Sequence, residues 1–183
     1  MSQALPTTAT IESGIAAQVL AARNGDHAAF ALLVQRFTDP LHRYLTAMGV
    51  RGADAEDIIQ ETFLRGWKHL DRYDSQYAFS TWIYTIARRL AVNHLTRQKP
   101  RASLADAHEL PAVPQTTPSD GLWQKARTLL SERDFSALWL RYGEDRDLSD
   151  IGRILGITAL NARVTLHRAR ERLAGSLSPD YHP

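Results

Sequence analysis

The sequence predicts an all-α protein of two small helical domains joined by a proline-rich flexible linker. Three observations carry that prediction. Apolar residues recur every three or four positions in successive segments, the spacing of a helix with one buried face. Four of the eight prolines, Pro100, Pro111, Pro114 and Pro118, fall between Gln98 and Asp120, where that periodicity stops. The chain then closes on two helical patterns, Leu148 to Leu155 and Ala159 to Ala174, joined by Gly156-Ile157-Thr158. The expected boundaries are a disordered tail over 1–13, a first domain over 14–98, a linker over 99–120, a second domain over 121–177 and a tail over 178–183.

Residues 1–13 are small, polar and threonine-rich. From Gly14 the pattern turns helical, with Ile15, Val19 and Leu20 on one face. Asn24-Gly25-Asp26 breaks it, and Asp26 is a good N-cap for the next helix. That helix carries Phe30, Leu33, Val34 and Phe37. Asp39-Pro40 is expected to interrupt or kink it, while Leu41, Tyr44, Leu45 and Met48 continue the stripe to Gly49. A third helix starts near Asp54 and buries Ile59, Phe63, Trp67 and Leu70. After the loop DRYDSQYAF, Ser80 can cap a fourth helix that buries Ile83, Ile86, Leu90 and Leu95. In the second domain, Asp147 can cap one short helix and Thr158 the next. Ile151, Ile154 and Leu155 are expected to face the core, with Leu160, Val164 and Leu173 buried on the last helix.

Composition removes several classes of function. A hydrophobic share of 44% is enough for packed cores. With no cysteine there is no disulfide and no cysteine-ligated zinc, and the histidines show no metal-like spacing, so no cofactor is expected. No apolar run approaches the ~20 residues that span a bilayer, and the start lacks a signal-peptide pattern, so the expected compartment is the cytoplasm. No phosphate loop or nucleophile elbow is present, so no enzymatic activity is expected.

Three features point to partners. The net charge is only +2, but its distribution is uneven. Five Lys/Arg and no acid lie between Trp82 and Arg101, and four acids with no base between Asp54 and Glu61. The final short helix, glycine turn and basic helix have the layout of a DNA-reading helix-turn-helix, offering Asn161, Arg163, Arg168 and His167. The same residues would also suit a solvated basic face. Tyr73, Tyr77, Phe79, Trp82 and Tyr84, followed by Arg88, Arg89, Arg97, Lys99 and Arg101, suit unpaired nucleic acid, where bases stack and cations neutralise the backbone. The rings would equally serve as core. The acidic helix reads as a capped N-terminus or as a partner-binding face.

Taken in order, these segments resemble the bacterial RNA polymerase sigma factors of the sigma-70 family, extracytoplasmic-function (ECF, group 4) type, from about Gly14 to Ala174. DAEDIIQETFLRGWKHLDRYD resembles region 2.2, and AFSTWIYTIARRLAVNHLTRQKPR resembles regions 2.3 and 2.4. SERDFSALWLRY with DLSDIGRILGITALNARVTLHRARERL resembles region 4. The resemblance implies domains σ2 and σ4, and contact with the β′ clamp helices of core polymerase through Asp57, Gln60, Glu61 and Arg65. It implies recognition and melting of the −10 element through the loop from Asp71 to Phe79, including Tyr73 and Tyr77, and through Trp82, Arg88, Arg89, Asn93 and Arg97. It implies reading of the −35 element through Asn161, Arg163, Val164, His167 and Arg168, with the β flap nearby and an anti-sigma factor as a further partner. Many members carry Thr-Val-x-Ser-Arg in the recognition helix, where this chain has Asn161-Ala162-Arg163-Val164-Thr165. Arg89 and Asn93 stand where Asn and Asp are common, and Arg146 where an apolar residue is common, which is expected to loosen the approach to the helix-turn-helix. The alternatives are a stand-alone helix-turn-helix regulator, or a protein-only adaptor such as an anti-sigma factor.

Overall fold

The computed structural model describes residues 8–98 and 118–177. Eight α-helices lie among the described residues, with no strand between them. Helices α1 (Thr8–Arg23), α2 (His27–Met48), α3 (Gly52–Lys68) and α4 (Phe79–Gln98) make the first bundle, with one 3-10 turn at Leu70–Arg72. Helices α5 (Pro118–Leu129), α6 (Glu132–Tyr142), α7 (Leu148–Leu155) and α8 (Ala159–Leu177) make the second. Among the described residues, no helix is long and apolar enough to cross a membrane.

Caps and stops fall largely where the sequence places them. The Asp26 carboxylate accepts the Ala29 N–H at 3.0 Å, and Gly49 ends α2. Some positions differ. Helix α1 begins at Thr8, inside the expected tail: Ala9, Ile11 and Glu12 are adequate helix formers, and the small polar composition around them hid it. The rest of that expectation, residues 1–7, lies outside the described residues, as do 99–117 of the expected linker and 178–183 of the second tail. Pro118, assigned to the linker, is the first residue of α5, where a missing N–H costs nothing. Pro40 lies inside one continuous α2 rather than dividing it. The buried neighbours Phe37, Leu41, Tyr44 and Leu45 hold both halves of that helix to one core.

Helix α4 is central. It packs against α2 and α3 on one side and α7 on the other. Ser80 therefore does not cap it from outside; it is the second helical residue and is buried. Ile83, Tyr84, Ala87 and Ala91 are its buried positions, with Ile86, Leu90 and Leu95 only partly covered. The small Ala87 and Ala91 let neighbouring backbones approach. In the second bundle Trp123 and Trp139 meet edge to face, their centroids 4.8 Å apart, over Phe135. The two bundles also pack on each other. The Tyr44 hydroxyl lies 3.2 Å from Ser136 Oγ in the buried seam between α2 and α6.

Candidate nucleic-acid interface

The helix-turn-helix is built from local rules. Asp147 caps α7 by accepting the Asp150 N–H at 2.8 Å, and that bond holds its carboxyl below the usual carboxylate range. Gly156 ends α7 in the left-handed region, φ 69°, which a side chain resists. The chain then folds back so closely that a Cβ on Gly152 would stand 2.8 Å from the Ile157 carbonyl oxygen. The Ile157 N–H donates to the Gly152 carbonyl at 2.8 Å, strapping turn to helix. Thr158 Oγ1 accepts the Asn161 N–H at 3.1 Å and opens α8.

On α8 the buried stripe is Ala162, Leu166 and Ala169, with Leu173 partly covered. The expectation that Leu160 and Val164 are buried is corrected: they are 70% and 39% exposed. Positions four and seven after Ala162 return to its face, whereas 160 and 164 fall roughly opposite. The exposed arc brings together all five residues expected to meet the −35 element: Asn161, Arg163, Val164, His167 and Arg168. His167 Nε2 lies 3.3 Å from Glu171 on that surface. Arg172, itself exposed, instead reaches Asp134 on α6 at 2.9 Å and ties the two helices.

The residues expected at the −10 element divide into three groups. Tyr73 and Phe79 are buried, at 9% and 2%, in a cluster of rings with Trp82 and Phe37. Their ring faces are packed against other side chains in this structure. Tyr77 and Trp82 are partly exposed, and the Tyr73 hydroxyl donates to the Tyr77 carbonyl, fixing the loop. Arg89, Asn93 and Arg97 form an exposed stripe on α4, four residues apart. Arg88 leaves that stripe. Its guanidinium donates to Glu132 of α6 at 2.8 Å, with only 13% of its side chain exposed.

The expected polymerase-facing residues share one side of α3. Asp57, Gln60 and Arg65 are exposed and Glu61 half-buried, with Arg65 Nε 2.6 Å from Glu61. Beside them lies a groove of about 810 Å³ between α2 and α3, lined by apolar Phe30, Val34, Ile59, Phe63 and Leu64 with Gln60 among them. The sequence reading missed this groove. Its one visible signal was Leu64, an apolar residue on the polar side of α3 that remains 65% exposed.

Arg146 also differs from expectation. Rather than loosening the helix-turn-helix, it donates to Ser80 Oγ at 2.6 Å and lies over the Tyr84 ring, 5.0 Å from its centroid. Burial pushes the hydroxyls of Tyr44 and Tyr84 far above their ordinary range, and the Tyr44 hydroxyl donates to Ser136.

The chain matches Sigma-70 region 2 over residues 33–101 and Sigma-70, region 4 over residues 124–173. It is 28% identical over 184 residues to the ECF RNA polymerase sigma factor SigW of Bacillus subtilis, across 91% of this chain and 98% of that one. It is 29% identical over 174 residues to the ECF RNA polymerase sigma-E factor of Haemophilus influenzae, across 86% and 92% of the two chains. Among solved structures, CnrH in complex with the cytosolic domain of CnrY is similar in fold, with a TM-score of 0.71 at 20% identity, covering 92% of this chain and 99% of that one. The sigma factor RpoE in complex with the anti-sigma factor NepR from Bartonella quintana gives 0.66 at 18% identity, covering 83% and 98%.

Proposed function

Since the chain belongs to the sigma-70 family as an ECF-type sigma factor, we propose that it binds core RNA polymerase, directs initiation at −10 and −35 elements, and performs no catalysis of its own. The observation that carries this reading is the pairing of a region 2 bundle with a region 4 helix-turn-helix in one chain. A stand-alone regulator needs the second and has no use for the first. We place the first functional unit within 8–98 and the second within 118–177.

The division of labour follows from surface chemistry. Asp57, Gln60, Glu61 and Arg65 give α3 a polar rim beside an apolar groove, which suits a helical partner such as the β′ clamp. Trp82 and Tyr77 offer ring faces for unpaired bases, while Arg89, Asn93 and Arg97 follow the backbone; Arg88 joins them once free of Glu132. Base unstacking costs a few kcal/mol, so a pocket and a cationic track are both needed. On α8, Arg163 and Arg168 can grip guanine edges or phosphates, and Asn161 can pair with adenine. The β flap is the expected second contact of this bundle. An anti-sigma factor is the expected regulator, and the cytoplasm, where polymerase works, the expected compartment.

Run-off transcription with purified core polymerase and a promoter library tests this. The expected result is initiation at a discrete set of promoters sharing −35 and −10 sequences. Products no different from core polymerase alone overturn the reading.

A further inference from the structure

We propose that Leu160 is a base-reading residue of α8 and that, together with Val164, it selects thymine by packing against C5 methyl groups in the major groove. The inference rests on the reading of α8 as the −35 helix.

An exposed apolar residue taken singly needs no account, since much of any protein surface is apolar. Leu160 and Val164 are set apart by where they stand. Thr158 caps α8 by accepting the Asn161 N–H at 3.1 Å, which puts Leu160 in the first helical turn. A recognition helix meets base edges through its N-terminal residues. Positions four apart on a helix return to within about 40° of each other, so Leu160 and Val164 share one row. The buried residues Ala162, Leu166 and Ala169 run along the opposite side, so the row points away from the core. Among the described residues nothing covers it: 70% of Leu160 and 39% of Val164 remain exposed.

The charges around the row decide what it faces. Arg163 and His167 flank it on one side, Asn161 and Arg168 on the other, all exposed. Cations at the edges of an apolar row suit a duplex, where phosphates border the groove and base edges form its floor. That floor carries one apolar group, the thymine methyl; its other features are donors and acceptors. Leucine therefore gains over thymine and leaves a polar edge without a partner over any other base. The same row ends in Glu171, which His167 meets at 3.3 Å. Phosphate repels an acid, so the N-terminal half of the row is the half that enters the groove. Leu160 and Val164 lie about 6 Å apart along the helix axis, a span of about two base steps. The methyls they meet must fall within that distance.

The test uses core polymerase loaded with the full chain. Promoter fragments are first selected from a library randomised across the upstream half. The strongest −35 sequence is then remade with deoxyuridine at each thymine in turn, which removes the methyl and keeps every hydrogen-bonding group. Binding of the fluorescein-labelled fragments is followed by anisotropy. Deoxyuridine should weaken binding about fourfold at one or two thymines no more than two steps apart. Leu160→Ala should fold normally, since the side chain is exposed and alanine is the better helix former. It should bind the thymine and deoxyuridine fragments equally at one of those positions, and Val164→Ala should do so at the other. A selected element with no thymine on either strand overturns the proposal. So does equal binding of both fragments by the native chain at every position, or a Leu160→Ala chain that keeps the full ratio. In all three cases the −35 reading of α8 stands. A library that yields no shared upstream sequence takes that reading down as well.

Discussion

Gly152→Ala is the sharpest single probe of the −35 reader. In an open helix this change would stabilise by up to about 1 kcal/mol, since alanine is the better helix former. Here the new methyl would meet backbone from three residues: the Ile157 carbonyl oxygen at 2.8 Å, the Ala159 nitrogen at 3.2 Å and the Thr158 carbonyl carbon at 3.2 Å. None is the loose end of a side chain, so the turn must move. Moving it strains the Ile157 N–H bond to the Gly152 carbonyl, worth about 1 kcal/mol. Overpacking of this kind costs ~1–3 kcal/mol. The net expectation is a loss of about 1–3 kcal/mol, or roughly 4–24 °C in the melting of a bundle this small. Urea and thermal denaturation followed by tryptophan fluorescence read it, because Trp123 and Trp139 lie in the same bundle. Gly175→Ala is the control: nothing lies within 4 Å of its new methyl, and it should stabilise slightly. A Gly152→Ala chain as stable as the native protein would refute the claim that this close approach sets the helix-turn-helix geometry.

Other substitutions separate the remaining roles. Asp147→Ala should cost about 1 kcal/mol through the lost N-cap. Because the folded state lowers the Asp147 pKa, its contribution is full above the ordinary carboxylate pKa of ~4 and fades as pH falls through the lower folded value; Asp147→Asn, titrated over the same range by denaturation, should lack that acid-side loss. Arg168→Ala should weaken binding to a −35 duplex by ~1–3 kcal/mol with relaxed base preference if it reads a base, or lower the salt slope by about one if it grips phosphate; anisotropy across a salt series shows which, and no change in either removes it from the interface. Asp57→Lys/Glu61→Lys should abolish promoter-directed transcription while denaturation changes little, since the Glu61–Arg65 pair is an exposed helix pair worth only about 0.3–0.5 kcal/mol; full activity would place the polymerase contact elsewhere.

Caps and turns were legible because they are settled within a few residues. Asp26, Asp147, Thr158 and Gly156 each act on backbone no more than five positions away. The exposed arc of α8 was read correctly by its polar residues and misread by its apolar ones. Leu160 and Val164, being apolar, suggest core, while small Ala162 and Ala169 do the packing. A chain partner alone distinguishes a buried alanine from a surface one.

The sequence by itself determined the helices, the division into two families of motifs and the basic and acidic faces they present. All of these arise from spacings of three, four or seven residues. Only the tertiary structure decided what the bundles do to each other. Arg88 and Arg146 look in sequence like further cations, yet one meets Glu132 and the other Ser80 and Tyr84. Those partners lie 44 to 66 residues away, beyond any local period. A charge reads as exposed until the acid or ring that meets it is brought near, and here packing of α4 between the bundles brings them near.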